Sequence, residues 1–264
     1  MTQEPTIPPE LLVELDPNAP YQSFFEAEEE EETHAPVTFA EAMETLRSMA
    51  DAEKAATDAA YHKVEREYLG IPVPQITDIV TFWRLGLDLE GRVALAAELW
   101  NTDIHDARIA AAKLLTQARI ADDGAVWDLI LAWLPQLDGW AIADAVAAAG
   151  QKRLVADPSR LDQMEDWITS PSHWTRRAAL GFTAPWTKLN HPKEADLAIR
   201  DRLMGWCRSL AVDHDWFVQK QLAGWIRDLS RHDAQRAREF LSENGAVMKP
   251  WALKEARSHL RRDK

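Results

Sequence analysis

The chain has 264 residues and a hydrophobic content of 46%, which suits a packed globular protein with one large or two small domains. Its single cysteine, Cys207, excludes an intrachain disulfide and suits a reducing compartment. No apolar run approaches the ~20 residues that span a bilayer, and the acidic N-terminus lacks the basic start of a secretory signal. We therefore expect a cytoplasmic protein without a membrane partner.

The charge of the chain is unevenly distributed. The formal net charge is −13, and residues 1–36 contribute ten acidic residues without a Lys or Arg. Residues 170–264 carry 18 basic and 11 acidic residues, a net charge of +7. This C-terminal region is compatible with an electropositive, DNA-binding face. It is equally compatible with solvated helix surfaces, which is the commoner meaning of scattered arginines.

Residues 1–36 are predicted to form a disordered acidic leader, and residues 37–264 a single helical domain. The leader is rich in proline, and its glutamate run at 28–32 repels itself. Two roles are open for this run. It is either solvated, or it occupies the basic face in competition with DNA.

From residue 37 onward, nearly every segment has helical character. Thr38 and Glu41 form a capping-box pattern that predicts the first helix start. Pro, Gly, Asn and Asp mark the breaks between segments, and we find no convincing strand pair. Further helices are predicted near residues 51–67, 75–87, 89–101, 104–119, 123–134, 138–149, 159–169, 172–186, 194–211, 215–230, 233–245 and 250–262.

A dozen short helices joined by short turns predict an all-α protein. The favoured architecture is an α-solenoid of HEAT-like antiparallel helix pairs that forms a curved superhelix. Because no clean sequence repeat is present, a compact helical bundle is the structural alternative.

One carboxylate interrupts an otherwise apolar helix. Between Trp140 and Ala149, Asp144 is the only polar side chain, and it lies one turn after Trp140 on the same helical face. An ionised carboxylate beside an indole in an alanine-rich helix is costly unless a cation or a hydrogen-bond donor meets it. That cation need not belong to the protein, because it can be positive charge that develops on a substrate.

Four segments along the chain carry a family resemblance. They are Y-L-G-I-P-V-P at 68–74, D-G-W-A-I-A-D at 138–144, W-T-R-R-A-A-L at 174–180 and F-V-Q-K…G-W-I-R-D at 217–228. Taken together and in this order, they resemble the DNA alkylation repair family, the AlkD-like alkylpurine DNA glycosylases. The resemblance covers about residues 38–262, which is nearly everything except the acidic leader.

The resemblance implies a HEAT-like superhelix whose basic concave face holds duplex DNA. It also implies hydrolysis of the N-glycosidic bond of N3- or N7-alkylated purines, without flipping of the base into a deep pocket. Such a purine is already cationic and leaves without a general acid. Positive charge then develops on the deoxyribose, where a fixed carboxylate and indole faces stabilise it. We expect a monomer that acts on double-stranded DNA with alkylated bases and needs no metal or cofactor.

Carried over residue by residue, the resemblance implies a catalytic site composed of Asp144, Trp140 and Trp225. It implies DNA contacts from Arg177, Arg176, Trp174, Lys220 and Arg227. Trp225 falls one position later than the family pattern, so Trp216 is an alternative second indole. The two adjacent arginines point about 100° apart on a helix, so only one of them is expected to face the DNA.

Other interpretations of the same residues are open. Asp144 is either the catalytic carboxylate or a structural acid that caps a helix or pairs with Arg177. The whole protein is either a glycosylase or a non-catalytic HEAT-like module that binds DNA structure or a protein partner. Asp215 is expected to cap the helix that follows it rather than to bind a metal. We assign four tryptophans to packing: Trp127, Trp133, Trp167 and Trp206.

Overall fold

A computed structural model describes residues 34–260. The prediction of a disordered leader falls almost wholly on residues outside this range. Within it the chain is all-helical and contains no β-strand. The α-helices are α1 (Phe39–Ser48), α2 (Ala52–His62), α3 (Val73–Gly86), α4 (Leu89–Asn101), α5 (His105–Leu114), α6 (Gly124–Trp133), α7 (Trp140–Ala156), α8 (His173–Phe182), α9 (Glu194–Leu210), α10 (Trp216–Leu229), α11 (Ala234–Asn244) and α12 (Pro250–Ala256). Three 3-10 segments lie at Leu134–Gln136, Pro158–Thr169 and Ala184–Thr187.

The predicted helix starts depend on side-chain caps that the structure contains. The N–H of Thr38 donates to the Glu41 carboxylate at 2.8 Å, and the N–H of Glu41 donates back to the Thr38 hydroxyl at 3.3 Å. The Asp215 carboxylate accepts from two N–H groups in the first turn of α10, at 2.7 and 3.1 Å. Both caps satisfy donors that a helix start leaves without partners, so both predictions are confirmed.

The helices stack in two layers. In one layer, which we call the inner row, α3 packs on α5, α5 on α7, α7 on α8, α8 on α10 and α10 on α12. The outer layer consists of α4, α6, the Pro158–Thr169 segment, α9 and α11, which pack against members of this row. The arrangement is the predicted solenoid-like stack. The four tryptophans assigned to packing are 2–8% exposed, which confirms that assignment.

The second predicted helix ends five residues early, at His62, because the chain that follows is held as a loop. The N–H groups of Leu69 and Ile71 donate to the Asp106 carboxylate of α5 at 2.7 and 2.9 Å. Between them, Gly70 has a φ of +75°, and a Cβ there would lie 2.4 Å from backbone atoms of α2 and its N-cap. The Y-L-G-I-P segment therefore contacts both α2 and α5 and holds them together. Its glycine lies too close to the backbone of α2 to carry a side chain.

Other predicted segments also differ from the structure, and the helices predicted at 104–119 and 250–262 end at Leu114 and Ala256. The helix predicted to stop before Gly150 continues to Ala156, because Gly150 serves packing and not termination. A Cβ on Gly150 would lie 2.2 Å from the ring of Phe182 in α8. The segment predicted as a helix at 159–169 is a 3-10 helix, and the helix predicted at 172–186 ends at Phe182, shortly before Pro185.

Within residues 34–260, none of the helices combines the length and the apolar character needed to cross a membrane.

Candidate functional site

An open cleft of about 750 Å³ lies along the inner row, and we call it the central cleft. Three inner-row helices begin there: Trp140 is the first residue of α7, His173 of α8 and Trp216 of α10. A helix N-terminus carries roughly half a unit of positive charge, so the starts of α7 and α8 favour an anion in the cleft, whereas the Asp215 carboxylate already caps the start of α10. The lining residues are Tyr61, His62, Lys63, Val64, Asp138, Gly139, Trp140, Asp144, His173, Trp174, Arg177, Trp216, Phe217 and Lys220.

Asp144 lies in the central cleft, one turn into α7. Its Oδ1 is 2.7 Å from a terminal nitrogen of Arg177 in α8, and 49% of its side chain stays exposed. Arg177 is buried, with only 8% of its side chain exposed. The guanidinium is thus a fixed support that orients the carboxylate, while much of the carboxylate faces the open cleft.

Arg177 is itself held by aromatic packing. Its guanidinium carbon lies 5.9 Å from the ring centroid of Trp174, one turn earlier on α8. Trp174 is buried, and its ring centroid lies 4.6 Å from that of Phe217 of α10. The Nε of Arg177 is buried and has no hydrogen-bond partner among the described residues. Trp174 therefore acts on the site mainly as a support for the guanidinium.

Trp140 is partly buried and belongs to a chain of stacked rings at one side of the cleft. Its ring lies 5.1 Å from His62 and 6.0 Å from Tyr61, which it meets edge to face. His62 lies 4.6 Å from His105, which in turn stacks at 4.6 Å on Tyr68. The loop after α2 therefore helps to fix the orientation of the Trp140 indole.

The two histidines of this ring chain favour the neutral form. Burial lowers the pKa of His62, and it lowers the pKa of His105 to about 4, with the neighbouring His62 and Arg66 acting in the same direction. An unfolded histidine has a pKa of about 6.5, so between pH 6.5 and 4 the unfolded chain binds more protons than the folded one. The folded state therefore loses stability as the pH falls through this window.

We expect His105 to reduce the free energy of unfolding by about 2 kcal/mol between pH 7 and pH 5. The measurement is urea unfolding of the wild type and His105→Phe at both pH values. Phenylalanine retains a ring in the stack without a titrating group, so its loss should be smaller by about that amount. Equal losses in the two proteins would contradict this origin of acid sensitivity.

The structure resolves which of the two candidate indoles lies in the cleft. Trp225 is 2% exposed and lines a separate cavity of about 230 Å³, which shares Arg177 and Lys220 with the central cleft. Trp216 lines the central cleft, is 50% exposed and stacks on Trp251 of α12 at 5.3 Å. Of the two candidates, Trp216 therefore lies in the same cleft as Asp144, whereas the Trp225 side chain is part of the packed interior.

The predicted DNA-contacting cations have different environments. Lys220 lines the central cleft, with its Nζ 2.6 Å from a Glu255 oxygen. Arg227 lines the smaller cavity and also pairs with Glu255, at 2.8 Å. Arg176 lies outside the central cleft, because it pairs with Asp213 at 2.6 Å and bonds loop carbonyls. Of the two adjacent arginines, only Arg177 lines the cleft, as the helical angle between them predicts.

Comparison with known proteins identifies the family. The family model described as "DNA alkylation repair enzyme" matches residues 42–260, most of the chain. The chain belongs to the DNA alkylation repair enzyme family. A solved structure described as a predicted DNA alkylation repair enzyme from Enterococcus faecalis has a similar fold, with a TM-score of 0.66. At 19% identity, the alignment covers 81% of this chain and 98% of that one. Among curated proteins, none matches the sequence significantly.

The central cleft of this repair-family protein has one wall that the sequence patterns did not predict, which is formed by residues 61–64. They were predicted to lie near the end of a helix that runs to 67, which would have dispersed them over several faces. The adjacent Tyr61, His62 and Lys63, a few residues before the Y-L-G-I-P loop, were the available signal.

A second set of missed residues supports the start of α7 in this repair-family protein. The buried Arg66 pairs with Asp138, two residues before Trp140, and lies 3.4 Å from Asp103. Arg108 of α5 lies 3.1 Å from the same Asp103 carboxylate. These pairs tie the loop after α2 to the N-terminus of α7. They are brought together by folding across as many as 72 residues, so no local pattern announces them.

Proposed function

We propose that the protein is a DNA glycosylase that hydrolyses the N-glycosidic bond of cationic N3- or N7-alkylated purines in duplex DNA. The observation that carries the proposal is the Asp144 carboxylate, which is held by a buried guanidinium yet half exposed in an aromatic-lined cleft. A purely structural ion pair gains nothing from facing an open cleft. A carboxylate that meets charge on a substrate needs both the support and the exposure.

The chemistry follows from the charge on the substrate. As the bond between the deoxyribose C1′ and the purine nitrogen breaks, its electron pair leaves with the base, which departs as a neutral alkylpurine. The sugar becomes oxocarbenium-like, and Asp144 stabilises its positive charge through space. The indole faces of Trp140 and Trp216 add cation–π stabilisation. Water then adds to C1′ and loses its proton to the surrounding solvent, while the Asp144 carboxylate oxygen orients the attacking water.

Binding of the duplex would use the positive side of the same cleft. Arg177 and Lys220 line it, each paired with a carboxylate that a phosphate would displace, and α7 and α8 begin there, which supports the approach of a phosphate. We further assign the helix stack to the HEAT-like type and expect a monomer that needs no cofactor. Direct hydrolysis of a cationic base requires no redox or group-transfer partner.

The first test is base release from a duplex that carries one N7-methylguanine. We expect the wild type to release the free base and leave an abasic site, which alkali cleaves. The same duplex with unmodified guanine should release nothing, because neutral guanine is a poor leaving group.

Two results would contradict the proposal in different ways. Tight duplex binding without base release would indicate a non-catalytic DNA-binding module. No duplex binding even at low salt, where phosphate contacts are strongest, would indicate a protein-interaction scaffold.

A further inference from the structure

The C-terminal end of α2 forms a complete wall of the central cleft. Four consecutive residues, 61–64, line it. Successive residues of a helix point about 100° apart, so four in a row cannot share one face of a continuous helix. They do so here because α2 ends at His62 and Lys63 adopts the left-handed conformation, with a φ of +56°. The turn at Lys63 therefore brings four consecutive residues to one wall of the cleft.

Lys63 differs from the other cations of the cleft. Arg177 is neutralised by Asp144, and Lys220 by Glu255. Lys63 is exposed and, among the residues that the structure describes, forms no ion pair. A phosphate that binds Lys63 therefore does not have to displace a carboxylate. Because Lys63 has no carboxylate partner among the described residues, its charge is better placed than those of Arg177 and Lys220 to contribute to salt-dependent DNA binding.

Tyr61 presents an aromatic ring beside this free charge. It is 68% exposed, and only the edge contacts with Trp140 and His62 hold its ring. No residue of α2 is fully buried, so the helix makes only partial packing contacts with the rest of the fold. Exposed aromatic faces next to cations are the surfaces on which unstacked nucleosides bind.

We propose that the end of α2 is a second DNA-contacting wall of the central cleft, with Lys63 against a backbone phosphate and Tyr61 against the face of a nucleoside that is unpaired at the lesion. The inference rests on the proposed function, because it takes duplex DNA as the occupant of the cleft. This wall comes earlier in the chain than Arg177 and Lys220, and it adds a separate binding surface to the cleft. It also gives a role to α2, a helix that packs only weakly against the rest of the fold.

The Lys63 contact is tested by the salt dependence of binding. The probe is a duplex with a tetrahydrofuran abasic analogue, which the enzyme cannot cleave. We expect Lys63→Gln to make the slope of log affinity against log salt shallower by about 0.9, the contribution of one phosphate. Arg238→Gln is the matched control, since Arg238 is an exposed cation of α11 outside the cleft. It should leave the slope unchanged.

The Tyr61 contact is tested with the same probe at one salt concentration. Tyr61→Ala should weaken binding by about fivefold or more, because a base loses its stacking surface. Tyr61→Phe retains the ring and should bind like the wild type. Thermal unfolding of both variants checks that the change arises in the bound state and not from loss of the fold.

The outcomes separate this inference from the proposed function. If the wild type releases N7-methylguanine and either Lys63→Gln or Tyr61→Ala binds as the wild type does, the α2 wall is wrong and the glycosylase stands. If Arg238→Gln changes the slope as much as Lys63→Gln, the effect is general charge and the inference is also wrong. If the wild type binds no duplex, both proposals fail together.

Discussion

Replacing Asp144 with asparagine is expected to reduce the release of N7-methylguanine by at least about 100-fold, the usual cost of removing one group that stabilises transition-state charge. Asparagine has nearly the same shape, and its amide oxygen still accepts from the Arg177 guanidinium. The fold and the affinity for an uncleavable abasic duplex should therefore change little. The measurement is single-turnover base release, with thermal unfolding and duplex affinity measured on the same preparations.

Asp128→Asn is the matched control for this prediction. Asp128 is an exposed carboxylate on α6 outside the central cleft, so the substitution removes the same charge at a distance from the site. It should release base at the wild-type rate. Wild-type release by Asp144→Asn would show that the ion pair with Arg177 is structural only. Equal losses in both variants would point to net charge instead of position.

The second large effect separates the two tryptophans that compete for one role. Trp216→Ala is expected to reduce base release by about tenfold, because a half-exposed indole face is lost from the cleft. Trp225→Ala should instead reduce the free energy of unfolding by about 3–5 kcal/mol, the cost of emptying a buried tryptophan site. Base release and urea unfolding are measured for both variants.

Trp225→Phe tests the same distinction without a large cavity. Phenylalanine retains much of the packing and leaves no buried indole N–H, a group that has no partner in the described part of the chain. We expect this variant to release base at close to the wild-type rate. If it folds normally and loses release as Trp216→Ala does, the catalytic indole is Trp225.

The two indoles also illustrate where sequence reasoning was limited. The family pattern directed attention to α10 and implied Trp225, with Trp216 as the alternative, but it could not choose between positions nine residues apart. The choice depends on how α10 meets its neighbours: Trp216 begins the helix at the cleft, and Trp225 is turned into the interior. Nine residues are two and a half helical turns, so the two side chains point to opposite faces of α10, and spacing alone does not tell which face meets the cleft.

The region at 61–67 was mispredicted for a different reason. The part of α2 that precedes this region is alanine-rich and has strong helix propensity, and no helix-breaking residue follows it before Gly70. The stop comes from Asp106, whose carboxylate accepts two backbone N–H groups of the following loop from 35 to 37 residues away. The loop that these bonds hold follows residues 61–64, which line the cleft, so the error in the fold concealed one wall of the site.

Local sequence patterns were sufficient to predict the all-helical class, several helix starts and the position of Trp140 and Asp144 on one helical face. Each of these depends on caps, apolar spacing or the helical period, which act within a few residues. Three relations became visible only in the folded chain. Arg177 pairs with Asp144, Trp216 and not Trp225 lines the central cleft, and the end of α2 forms one wall of that cleft. Those relations join residues of different helices, whose relative positions are determined by the packing of the whole stack and not by any local segment.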